Sequence, residues 1–158
     1  MNVIVTGSRH AAMSAHYRVV ESTLVRVACG EPVTLIEGGA PGVDTLAKKI
    51  AEAHGWPWVE VAARWGECGP DCPPGTGHLL PRAWWDEMHG DGPTYCPGAG
   101  PRRNRLMVDT YRVGGRVAAF PAVPKARRSG TWDTIEYAVS VGVPVLIVGL
   151  RTRGRGPL

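Results

Sequence analysis

The chain has 158 residues, 44% hydrophobic and 20% charged, the size and balance of one compact domain and not of a disordered or fibrous protein. Its formal charge of +4 favours an anionic partner, and no apolar run approaches the ~20 residues needed to cross a bilayer, so no membrane association is expected. The start, MNVIVTGSR, lacks a basic leader followed by an apolar stretch, so a cytoplasmic protein without stable disulfides is expected.

Residues 2–6 (NVIVT) predict a buried strand, and residues 14–29 a helix with Tyr17, Val20, Leu24, Val25 and Ala28 on one face. A strand at 33–37 (VTLIE) follows. Next comes a helix at 43–54 with Val43, Leu46, Ala47, Ile50 and Ala51 at helical spacing, stopped by Gly55. Residues 58–62 form a third strand. Residues 64–100 concentrate glycine and proline and read as an irregular insertion. Pro101 suits a first helical position, with Leu106, Met107 and Tyr111 lining the buried face of a helix that ends near Arg112. Residues 116–120 (RVAAF) form the fourth strand, 131–141 a helix and 143–148 (VPVLIV) the last strand.

Continuously apolar strands alternating with helices predict an α/β domain: a doubly wound, mainly parallel sheet of about five strands covered on both faces. A single domain is expected over residues 1–150, with 151–158 as a basic tail. The positive charge falls in three clusters: Arg102, Arg103 and Arg105; Lys125, Arg127 and Arg128; and Arg151, Arg153 and Arg155, the last read as solvated tail.

In such a sheet the loops after the strands gather at one edge, where helix N-termini favour anions. Three of those loops are rich in small residues: TGSR, EGGAPGVD and FPAVPKARRSGT. Any one glycine there reads as a turn or cap; three coincident loops read as a ligand site. None matches a nucleotide fingerprint. GGAPG lacks the GK[ST] ending of a P-loop and no GxGxxG follows the first strand, which disfavours ATP hydrolysis.

The ordered motifs VTGSR, GGAPGVDTLAKKIA, AGPRRNRLMVD and SGTWDTIEYAVSVGVPV resemble the YspA-like branch of the SLOG superfamily. These are Rossmann-like domains related to the LOG phosphoribohydrolases and to DNA-processing protein A. The resemblance implies a pocket for a nucleotide or nucleotide derivative, used for signal sensing or sequestration. It assigns ligand contacts to Gly7, Ser8, Arg9, Gly38, Gly39, Gly42, Asp44, Arg103, Asn104, Ser129, Gly130 and Thr131. LOG-like relatives form dimers, so a homodimer is implied as well.

Two other functions stay open. LOG enzymes hydrolyse the N-glycosidic bond of nucleoside 5′-monophosphates with an arginine in R-x-x-x-M, which Arg103 to Met107 fits, and a glutamate in PGGxGTxxE. Here ARRSGTWDT puts Thr134 at the glutamate position, and threonine can neither stabilise oxocarbenium-like charge nor activate water. Asp133 and Glu136 are then the candidate catalytic carboxylates beside Arg103, or a helix-dipole residue and a surface residue. The same segment resembles the S-G-T-x-x-T pattern of DNA-processing protein A. Single-stranded DNA binding would use Arg102, Arg103, Arg105 and Trp132. Against it, the tryptophans are not interleaved with the basic clusters, and Trp56, Trp58 and Trp84 read as packing residues.

The insertion holds GECGPDCPPGTGH and TYCPGAG. Cys68, Cys72, His78 and Cys96 offer three thiols and an imidazole, a plausible Cys3His set for structural zinc, with His89 as rival to His78 and unliganded thiols as the alternative. A CxxC redox motif is absent. The Cys, Cys, His, Cys insertion resembles those of actinobacterial and phage members of the YspA-like group, which implies zinc. Cys29 is expected to be an incidental, buried cysteine.

Overall fold

In a computed structural model that describes residues 1–83, 89–123 and 129–151, the chain runs β1 (Asn2–Gly7), α1 (Met13–Ala28), β2 (Thr34–Glu37), α2 (Val43–His54) and β3 (Trp58–Glu60). After these come β4 (Leu80–Pro81), β5 (Thr94–Tyr95), α3 (Ala99–Tyr111), β6 (Arg116–Phe120), β7 (Ala122–Val123), α4 (Gly130–Ser140), β8 (Val145–Ile147) and β9 (Leu150–Arg151). Five strands form one sheet in the order β3-β2-β1-β6-β8, and every pair in it is parallel. This is the Rossmann-like architecture that the alternating pattern predicts. Among the described residues no helix is long and apolar enough to cross a membrane.

Successive strand residues point to opposite faces, so each central strand feeds two cores. Val3, Val5, Leu35 and Phe120 pack with Val20 and Leu24 of α1 and Leu46 and Ile50 of α2. Ile4, Ile36, Val117 and Ala119 pack with Met107 and Val108 of α3 and Ile135 and Ala138 of α4. Both faces are covered, which explains why these strands read as continuous apolar runs.

The inward row of α2 is the one its spacing predicts, whereas two other helices differ. On α1, Val25 is 43% exposed, and the buried row runs through His16, Val20, Thr23, Leu24 and Val27. Polar residues hold that row because their groups are satisfied. Thr23 Oγ1 donates to the Val19 carbonyl at 2.7 Å. His16 accepts from the Ala12 amide at 2.9 Å, and its other nitrogen donates to the Arg151 carbonyl at 3.1 Å. On α3, Leu106 is 57% exposed while Asn104, Met107 and Val108 are buried. That helix starts at Ala99, so Pro101 is its third residue, within the first turn where a missing N–H costs no helical bond. Cys29 is exposed, not buried, and caps α1 in the left-handed conformation with φ 49°.

Between β3 and α3 the described residues hold only the short β4/β5 antiparallel pair, as expected for an insertion. Trp84, the Lys125, Arg127 and Arg128 cluster, and Arg153 and Arg155 of the tail lie outside the described residues.

The end of β1 meets the start of α2 closely. A Cβ on Gly7 would sit 2.5–2.8 Å from the Val43 side chain. Gly7→Ala is expected to lower stability by about 1–3 kcal/mol, as overpacking does, read as a lower urea midpoint at unchanged slope. An unchanged midpoint would contradict this packing.

Candidate functional site

The strand order reverses between β1 and β6, and a crevice opens beyond their carboxyl ends because the following loops lead to opposite faces. A cleft of about 810 Å³ occupies that position. The Ser8 amide donates to the Phe120 carbonyl at 2.9 Å, and the Val43 amide to the Ser8 carbonyl at 3.1 Å, so the loops after β1, β2 and β6 are tied together. Gly7, Ser8, Arg9, Gly38, Gly39, Asp44, Arg103, Asn104, Ser129, Gly130 and Thr131 all line the cleft. Gly42 does not line it. It sits behind, at φ 86°, against the backbone of Ser8 and Arg9.

Arg103 is the centre of this arrangement. Its guanidinium donates to the Gly38 carbonyl and, at 3.4 Å, to the Val61 carbonyl, in the space that a Cβ on Gly38 would take. Asp44 shapes the other side of that loop by accepting the Gly38 amide at 3.1 Å and the Ala40 amide at 3.2 Å. Arg103 Nε donates to Asn104 Oδ1 at 3.0 Å, and Asn104 Nδ2 to the Gly130 carbonyl at 3.2 Å. The hydrogen-bonded series therefore runs from α2 through the β2 loop and α3 to the first turn of α4. Ser129 caps that turn, its Oγ accepting the Trp132 amide at 3.3 Å.

The site is also electrostatically tense. Burial pushes the Glu37 carboxyl up to about 7, against the Gly39 amide that it accepts, and Asp44 and Glu60 add repulsion. Burial raises Asp44 to about 6, opposed by the charge of Arg103 and by its two amides. Burial in turn lowers Arg103, which Asp44, Glu37 and Glu60 counter. Glu37 Oε1 is buried without a hydrogen-bond partner among the described residues.

Asp133 and Glu136 do not line the cleft. Glu136 is exposed, and Asp133 has one buried oxygen without a hydrogen-bond partner among the described residues. Thr134 is fully buried and its hydroxyl donates to the Gly130 carbonyl at 2.9 Å. The three arginines of the first basic cluster turn in different directions. Arg102 faces the cysteines, Arg103 the Gly38 loop, and Arg105 the ring of Tyr137 at 5.7 Å. Glu60, Trp65 and Tyr95 also line the cleft, beyond the residues expected from sequence, together with His89, expected only as a rival metal ligand, and Trp132, expected only as a stacking residue for DNA. Glu60 could have been found from its place at the carboxyl end of a strand; Trp65, His89 and Tyr95 sit in a segment with no periodicity to read.

Beside the cleft, the ligating atoms of Cys68, Cys72, His78 and Cys96 lie within 4.8 Å of one another and could hold a metal ion. Cys68 Sγ is 3.2 Å from His78 Nε2, and Cys72 Sγ is 3.4 Å from Cys96 Sγ. Tetrahedral ligands on bonds of about 2.0–2.3 Å stand about 3.3–3.8 Å apart, close to these two separations. The sulfurs are too distant for a disulfide. His89 is instead stacked on Tyr95 with centroids 3.9 Å apart. Arg102 donates to Cys72 Sγ at 3.1 Å, to Cys96 Sγ at 3.5 Å and to the Glu67 carbonyl at 2.7 Å. Burial pushes the Cys96 thiol up, but hydrogen bonds with Arg102, Cys72 and the Gly98 amide outweigh it and bring the thiol down to about 6.

Residues 1–67 match the model of the YspA, cpYpsA-related SLOG family. Among solved structures, the chain is similar to the structural-genomics target TM1055 with a TM-score of 0.53 and 16% identity, over 91% of this chain and 71% of that one. At that identity the likeness is one of fold. DNA processing protein A (DprA) from Streptococcus pneumoniae is similar with a TM-score of 0.48 and 18% identity over 92% of this chain, which spans 58% of that protein's length. No curated protein matches the chain in sequence.

The raised Glu37 carboxyl has a pH signature. A carboxyl whose folded pKa lies above its unfolded value contributes stability that is complete below the unfolded value, 4.5 here, and is lost as pH rises through about 7. Glu37→Gln removes that loss. Its stability relative to wild type is expected to improve between pH 5 and pH 8 in denaturant titrations; a pH-independent difference would contradict the shift.

Proposed function

From the premise that residues 1–67 are those of a SLOG-family protein, we propose that the cleft binds a nucleotide or nucleotide derivative, beside a structural zinc held by Cys68, Cys72, His78 and Cys96. The observation that carries the reading is the series Asp44, Gly38, Arg103, Asn104 and Gly130, which gathers the strand-end loops around one guanidinium. A phosphate needs backbone amides at close approach and a cation. The first-turn amides of α4 at Gly130 and Thr131, the Ser8 hydroxyl, and Arg9 and Arg103 are the groups that supply them, while Gly7 keeps the strand end free of side-chain bulk. Glu60 at the rim is a suitable acceptor for sugar hydroxyls.

The donor set suits zinc. Three thiolates and one imidazole are its preferred ligands, and four protein ligands leave no position for an activated water. Three thiolates against a divalent ion leave one negative charge, and Arg102 lies against two of the sulfurs to offset it.

One observation favours hydrolysis of a nucleoside 5′-monophosphate as a second reading. Asp44 lines the cleft near Arg103 with its carboxyl at about 6, close to what a general acid needs at neutral pH. With Thr134 where LOG enzymes carry a glutamate, and with Asp133 and Glu136 off the cleft, that role would fall to Asp44 or Glu60. Binding without turnover is the better supported reading. Among the described residues, the divergent directions of Arg102, Arg103 and Arg105 leave single-stranded DNA without a continuous basic track.

Thermal melting with a panel of nucleoside mono-, di- and triphosphates tests the reading. A ligand at a hundredfold its Kd stabilises by about 2.7 kcal/mol, a rise of roughly 5–10 °C for a chain of this size. Arg103→Ala is expected to abolish the shift; silence across the panel would overturn the binding function. Release of free base by the wild type, lost in Arg103→Ala, would establish the hydrolytic reading instead.

Elemental analysis of chelator-free preparations is expected to give about one zinc per chain, because structural zinc contributes directly to folding. Less than about half an equivalent, with Cys72→Ser folding as wild type, would overturn the zinc assignment.

A further inference from the structure

The cleft lining is of two chemical kinds. Glycine loops and Arg103 make up one; Trp65, His89 and Tyr95, all from the insertion, make up the other. The imidazole of His89 and the ring of Tyr95 are nearly parallel, with centroids 3.9 Å apart and planes at 15°. Trp65 meets both edge-on, at 4.4 Å from His89 and 6.0 Å from Tyr95. None of the three rings is fully buried, so part of the cluster is open to a ligand.

This cluster is fastened from two sides. The Cys96 amide donates to the Trp65 carbonyl at 2.8 Å, and Tyr95 directly precedes Cys96 in the chain. The far end of the Trp65 ring lies over Gly100 in the first turn of α3, where a Cβ would approach it to 3.1 Å. The metal-ligand set and the helix that carries Arg103 therefore both hold the aromatic cluster at the cleft wall. Fixed aromatic faces beside an anion site suit a ligand with a charged end and a planar apolar end. Alkyl chains would gain nothing from ring stacking, and sugar phosphates would leave the exposed parts of the rings wet.

We propose that Trp65, His89 and Tyr95 form the base-recognising subsite of the cleft, so that its ligand is a nucleotide whose heterocycle stacks on the insertion while its phosphate sits at the glycine loops. The assignment rests on the nucleotide reading above and adds the role of the insertion: selection of nucleotides over sugar phosphates. Because every base presents a π-face, the subsite favours planar bases as a class.

Calorimetric titration of the full chain with adenosine 5′-monophosphate and with ribose 5-phosphate tests the subsite. Wild type is expected to bind the nucleotide about tenfold more tightly or better, the range that base stacking provides. Tyr95→Leu should lose most of that ratio by weakening the nucleotide alone, and Tyr95→Phe, which keeps the ring, should retain it. Metal content and circular dichroism report the fold of each variant, and if Tyr95→Leu does not fold, His89→Leu is read in its place. A wild-type ratio near one, or an unchanged ratio in the folded leucine variant, would overturn the subsite while leaving the anion site standing. Binding of neither probe to wild type would overturn the nucleotide reading and the subsite with it.

Discussion

One guanidinium seated over a glycine organises this molecule. Arg103 takes the space above Gly38 that any side chain there would need, and it hydrogen-bonds the Gly38 carbonyl and Asn104 together. The seat adds a polar attachment to the apolar packing of Met107 and Val108 of α3, one residue before Asn104, which reaches Gly130. The seat is held under opposing forces. Burial disfavours the guanidinium charge, and Asp44, Glu37 and Glu60 favour it. Their own carboxyls include two that burial drives up toward neutrality. A buried cation among partly protonated acids is poised to respond to an arriving anion, since added negative charge stabilises Arg103 and competes with the carboxylates.

Arg102 and Arg103 are neighbours on one helix, and adjacent helical residues point about 100° apart. One therefore reaches the cysteine cluster while the other reaches the cleft. A single turn of α3, entered from Cys96, thus serves both centres, and Trp65 against Gly100 adds a third attachment to the same turn. An irregular segment rich in glycine and proline has little core of its own. A metal held by Cys68, Cys72, His78 and Cys96, as proposed above, would supply the constraint that apolar packing supplies elsewhere in the chain.

Much of this was legible in the sequence, and the failures share a cause. The central strands were readable because strands buried on both faces are continuously apolar, and α2 because Val43, Leu46, Ala47, Ile50 and Ala51 turn inward, although the apolar run of β8 leaves Leu146 and Ile147 exposed. Val25 and Leu106 were misassigned because His16, Thr23 and Asn104 hold inward rows, and an apolar pattern skips polar residues whose hydrogen bonds are satisfied internally. Cysteine spacing exposed the candidate ligands, but only the fold brings His78 rather than His89 to the sulfurs. The aromatic cluster had no sequence signal at all. Trp65, His89 and Tyr95 meet through a path that contains no helix and little strand among its described residues.

The role of the arginine seat is tested most directly at Gly38. This glycine does not adopt a positive φ, so alanine is compatible with its backbone and acts only by displacing Arg103. The measurement is the calorimetric affinity of Gly38→Ala for a nucleoside 5′-monophosphate, compared with wild type, in protein shown to be folded and to carry the same metal content. Loss of binding in the folded variant is the predicted result. Wild-type affinity in Gly38→Ala would contradict the claim that Arg103, seated over Gly38, builds the anion site.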